Sequence, residues 1–141
     1  MEKYTLSSLI NRVVEIEKEL AKLLTGTLDY ITDDRLKNIL LEYIDGLEER
    51  LDRLTRVKIY MVVEMVLEPI TGLDTYGYMS RVNDIYHEDN LDISIKILKI
   101  FSLVETMYID IAEKIRYISP ELSDELHVFV RNIRRLKDRL D

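Results

Sequence analysis

Near the C-terminus, hydrocarbon side chains recur at Leu122, Leu126, Phe129, Ile133, Leu136 and Leu140, an unbroken alternation of four and three. Residues spaced this way share one side of an α-helix, and a helix that is apolar along one side must bury it against other helices. The same spacing runs through most of the chain. It appears at Leu6, Leu9, Val13, Ile16, Leu20 and Leu23, and at Leu36, Leu40, Tyr43, Leu47, Leu51 and Leu54. It appears again at Ile97, Phe101, Val104, Tyr108, Ile111 and Ile115. Four stripes of helical period predict an all-α fold.

The punctuation divides the stripes. Gly26 lies near the end of the first, and Thr32 or Asp33 is placed to cap the second. The second continues through "RVKIYMVVEMVLE" and must stop before Pro69. Ser119 followed by Pro120 is a capping residue and a first-turn proline. The predicted long helices cover about 5–30, 33–68, 92–118 and 120–140. Between them, residues 69–91 form a crossover with one or two short helices. Two short loops and one long connection give two antiparallel hairpins joined by that crossover, a four-helix bundle of ferritin-like arrangement in one domain. A shift of 86 residues superposes Leu36, Leu40, Asp52, Arg53 and Leu54 on Leu122, Leu126, Asp138, Arg139 and Leu140. Glu17 and Glu105 correspond at a shift of 88, which suggests a pseudo-twofold repeat.

Composition narrows the function. The 141 residues include four glycines, two prolines and no cysteine, so disulfides, thiolate metal sites and cysteine nucleophiles are excluded. A net charge of −7 argues against binding along a nucleic-acid backbone, and the basic "RNIRRLKDRL" suits the negative end of the last helix. The longest apolar run, 59–67, contains Glu64 and is too short for a membrane span. The first ten residues lack the layout of a signal peptide, so the cytoplasm is the expected compartment.

Paired glutamates in such a bundle raise the di-iron question, with Glu17 and Glu105 as the single carboxylates. The rest of that ligand set is missing. Against the rubrerythrin pattern, Leu47 and Ile133 stand where glutamates belong, and Arg50 and Leu136 where histidines belong. The interior is therefore expected to be hydrocarbon, with no metal and no cofactor. Two Asp-x-x-His pairs, Asp84–His87 and Asp124–His127, read as ordinary helix chemistry. "YMVVEMVLE" is apolar on more than one face, so Tyr60, Met61, Val63 and Met65 are expected to bury against another copy of the chain.

Two resemblances to known families follow from short stretches. "SRVNDIYHED" resembles the Arg-x(4–6)-His signature of HEPN ribonucleases, which implies Arg81 and His87 as phosphate-contacting residues. The neighbouring Arg-Asn pair of that family is not met, because Asn83 is two residues on from Arg81. "LSDELHVFVR" is similar to the Leu-Ser-Asp-x-Leu-Phe-x-x-Ala-Arg stretch of PduO-type cobalamin adenosyltransferases, matching at Leu122, Ser123, Asp124, Leu126 and Arg131. "YITDDRLKNILLEYIDGLEERLDRL" also resembles that family's second long segment. The resemblance implies a ferritin-like bundle, with Asp124, His127 and Arg131 as candidate ligand-binding residues. The family's Gly/Thr-rich N-terminal segment is missing, and "SLVETMYIDIAEKIR" lacks its paired arginines, so it implies the fold without the reaction. The layout also resembles a small archaeal family with two short helices between long hairpins. The leading expectation is a self-associating structural or partner-binding bundle with no recognisable catalytic machinery.

Overall fold

The computed structural model describes residues 1–60 and 69–140, with Tyr60 by its backbone alone. The described chain is an all-α bundle. Helix α1 spans Leu6–Thr27 and ends in a 3-10 turn at Leu28–Tyr30. Helices α2 (Asp34–Asp45) and α3 (Leu47–Tyr60) follow, then α4 (Thr75–Tyr86), α5 (Ile93–Ile115) and α6 (Pro120–Leu140). None of these helices is long and apolar enough to cross a membrane.

Local chemistry sets the starts. Thr5 accepts from the Ser8 amide at 3.0 Å while Ser8 Oγ accepts from the Thr5 amide at 2.9 Å, a reciprocal cap on α1. Asp33, rather than Thr32, caps α2, with its Oδ1 accepting from the Arg35 amide at 2.9 Å. Asp74 and Asp92 cap α4 and α5 in the same way. The Ser119–Pro120 start of α6 is as predicted, and Ser119 Oγ accepts from the Leu122 amide at 3.2 Å.

Two boundaries differ from expectation. The third long helix stops at Ile115, three residues early, because Tyr117 and Ile118 turn outward and only Ser119 re-enters the interior. The second long helix is interrupted at Gly46. Gly46 keeps near-helical angles (φ −78°, ψ −5°) and its amide still reaches Glu42 O, so the chain is bent there rather than redirected.

Cross-helix bonds fix the directions. Asn11 with Lys58 (2.8 Å) and Glu17 with Arg50 (3.0 Å) set α3 antiparallel to α1. Arg53 with Glu125 (3.4 Å) and Glu42 with Arg135 (3.0 Å) set α2 and α3 antiparallel to α6. Helix α4 runs alongside α1, with Thr75 at Arg12 (2.9 Å) and Asn83 at Glu19 (3.5 Å), and antiparallel to α5. Helix α4 is thus the single described helix of the crossover and carries the chain along the length of the bundle. Ahead of α1, Tyr4 exchanges two backbone hydrogen bonds with Ile70, and Glu2 bonds Thr75 and the Tyr76 amide. The N-terminal segment therefore straps the entry to α4.

The core follows the four stripes, except that Leu24 rather than Leu23 is inward in α1, Leu140 is half-buried, and the second stripe shifts in α3. In α3 the inward positions are Arg50, Leu54 and Val57, while Leu47 and Leu51 are only half-buried. A charged residue therefore occupies an interior place in the second stripe.

Candidate functional site

That arginine faces a carboxylate. Glu17 lies on the inner side of α1 at 0 % exposure, and Arg50 is 6 % exposed. Arg50 Nε donates to Glu17 Oε2 at 3.0 Å, and the Tyr43 hydroxyl donates to the same oxygen at 3.2 Å. The Tyr108 hydroxyl donates to Oε1 at 2.9 Å. The Arg50 guanidinium also lies over the Tyr43 ring, 4.1 Å from its centroid. Four residues from α1, α2, α3 and α5 thus meet at the centre of the bundle. Tyr43 and Tyr108 pack in turn against Phe101 and Phe129, with ring centroids 5.3 and 5.9 Å apart.

The electrostatics are those of a closed cluster. An isolated carboxylate in hydrocarbon is prohibitively costly, so it must be paired and hydrogen-bonded. Burial pushes both tyrosine hydroxyls well above their usual pKa, and the Glu17 charge pushes the same way, so both stay protonated and donate. Burial alone would lower the arginine's pKa, but Tyr43 and Glu17 outweigh it and hold the guanidinium charged. One atom is left over. Arg50 Nη2 is buried and has no hydrogen-bond partner among the described residues.

The expectation of a purely hydrocarbon interior is therefore corrected. Ile133 and Leu136 are buried as predicted, but Tyr43 and Tyr108 contribute hydroxyls as well as rings, and Arg50 is an interior cation. The signal was present in the sequence. Glu17 lies four residues after Val13 and three before Leu20, on the inner face of α1. Arg50 lies seven residues after Tyr43 and four before Leu54, in phase with the inner face of the second stripe. Following the leucines to Leu51 instead loses that phase.

The other candidates are spread over the surface. Glu105 on α5 is held by Arg134 (2.6 Å) and Lys137 (2.8 Å) of α6. Burial works to raise its pKa, but the Lys137 and Arg134 hydrogen bonds outweigh this and hold it below the usual carboxylate value. Each glutamate of the 88-residue correspondence thus meets cations on the second arm of its own hairpin. Among the described residues no three His, Asp or Glu side chains converge as metal ligands.

Arg81 and His87 lie in different cavities. Arg81 lies over the Tyr78 ring beside Asp110 and Lys114, whereas His87, at the end of α4, sits edge-on to Tyr86 near Tyr30 and Lys96. Asp124 and Arg131 are exposed on α6 and His127 is half-buried, and no hydrogen bond or ion pair among the described residues joins the three. Met61, Val63, Glu64, Met65 and the side chain of Tyr60 lie outside the described residues.

A cavity of about 300 Å³ opens beside the cluster, between α2, α3 and α6. It is lined by Arg50, Arg53, Arg135, Asn132, Val128 and Phe129, with Glu42, Gly46 and Glu49 completing the wall. Compared with known proteins, the chain matches no family model, no characterised protein and no solved structure, so neither family resemblance gains support from relatives.

Proposed function

We propose that this protein is a non-catalytic helical bundle that works as a structural or partner-binding module and self-associates. In this reading the Arg50 guanidinium takes the central place that a metal cation holds in di-iron bundles. The carrying observation is the enclosure of Glu17 by protein donors. One oxygen accepts from Tyr108 and the other from both Tyr43 and Arg50, so the carboxylate has fixed protein partners on each side. A catalytic carboxylate needs a position open to substrate, water or metal. A ferritin-like arrangement of two hairpins agrees with the helix directions and with the long course of α4. Self-association rests on the apolar run "YMVVEMVLE", which begins directly after the exposed Ile59.

Elemental analysis and native mass spectrometry of the purified protein test the first part. Stoichiometric iron or manganese would overturn it. Sedimentation tests the second, with the expected species a multiple of 16.7 kDa. A monomer at all concentrations would remove the self-association.

A further inference from the structure

We propose that the cavity between α2, α3 and α6 is a binding site for a small organic monocarboxylate, held by Nη1 of the Arg50 guanidinium. Arg50 spends its Nε on Glu17, and its buried Nη2 has no partner among the described residues. A buried donor left unsatisfied costs about 1–3 kcal/mol, so an acceptor delivered to this side chain is favoured. Nη1 is the nitrogen on the Gly46 side: a Cβ at residue 46 would lie 2.6 Å from it, and Gly46 and Arg50 both line the cavity.

The shape of the site selects the ligand. The Tyr43 ring covers one face of the guanidinium, and Nη1, the nitrogen beside Gly46, is its donor on the cavity side, where a charge-assisted bond to one oxygen of a carboxylate fits. Val128 and Phe129 offer an apolar wall for a hydrocarbon or aromatic body. Charge favours a monoanion. Arg50, Arg53 and Arg135 line the space together with Glu42 and Glu49, three positive charges against two negative, so a single added negative charge balances the lining. A volume of about 300 Å³ is at the small end of ligand pockets and suits a molecule of benzoate size.

Calorimetric titration with benzoate, acetate and inorganic phosphate tests the site directly. Benzoate is expected to bind saturably with a dissociation constant of about 1 mM or lower. Acetate is expected to bind more weakly, and phosphate not at all. Val128→Trp, which narrows the cavity from α6, is expected to weaken benzoate by about tenfold or more. Should that variant fold poorly, the wild-type protein still decides. Benzoate must shift the Arg50 Nε–H and Phe129 ring resonances, and shifts confined elsewhere would overturn the proposal. Absence of saturable benzoate binding, equal binding of phosphate, or a Val128→Trp protein that folds and binds as wild type would each also overturn it. The metal analysis above reads a different property, so either result can fail alone.

Discussion

Arg50 Nε and Glu17 Oε2 lie 3.0 Å apart at the centre of the bundle, joining α3 to α1 with almost no solvent between them and the surrounding core. A pair in this position is poor at adding net stability and strong at fixing geometry, because desolvation cancels most of its attraction.

Breaking the pair should therefore cost more than deleting it. Glu17→Leu alone leaves a buried guanidinium without its counter-ion and is expected to destabilise by about 3–5 kcal/mol. The double variant Glu17→Leu with Arg50→Met should recover most of that loss. Urea unfolding of both single variants and the double variant checks it, and strict additivity would contradict the interaction.

The two tyrosines are not equivalent. Glu17 Oε2 has two donors, whereas Oε1 has Tyr108 alone. Tyr108→Phe should fall in the usual range for a stranded buried acceptor, about 1–3 kcal/mol, and Tyr43→Phe should cost less. The same unfolding measurement ranks them, and the reverse order would be inconsistent with this geometry.

Gly46→Ala should reverse the ordinary helix-propensity gain. Its backbone angles suit any residue, and alanine is favoured over glycine in helices by about 1 kcal/mol. Here the added Cβ would meet Arg50 Nη1 at 2.6 Å, on a side chain pinned by Glu17. The substitution is expected to destabilise the wild type and to stabilise the Glu17→Leu, Arg50→Met double variant. Stabilisation in both backgrounds would show that the guanidinium moves freely.

Stability should fall at both ends of the pH range. Burial, with help from Glu17, raises the folded pKa of Tyr43 and Tyr108, and burial with Glu2 pushes Tyr4 up to about 12. A raised folded value means their contribution is intact below the unfolded pKa of about 10 and is lost as pH climbs through the folded values. At the acid end, hydrogen bonds from Arg139 and Arg135 depress Glu42, and Lys137 and Arg134 depress Glu105 against the effect of burial. Their contribution is present above the ordinary glutamate value and disappears as pH drops through the lowered ones. Thermal unfolding across pH, with tyrosinate absorbance followed on the alkaline side, checks both limbs. Ionisation of all nine tyrosines before unfolding would contradict the alkaline limb.

The one-dimensional pattern determined the helices, because periodicity and caps are local. The four stripes, a cap at Thr32 or Asp33, the Ser119–Pro120 start and the crossover position can all be read without tertiary information. The early stop at Ile115 and the bend at Gly46 were not legible, since each depends on which side chains find a place inside. What only the tertiary structure decided is the partner of Glu17. A carboxylate on the inner face of α1 requires a counter-charge from elsewhere, and the sequence holds 20 lysines and arginines. Packing chose Arg50, because it alone of these meets Glu17 in an ion pair among the described residues, and the hydroxyls of Tyr43 and Tyr108 complete the shell. Burial is a property of all the helices together, so the pairing of charges in the core could be settled only once they had come together.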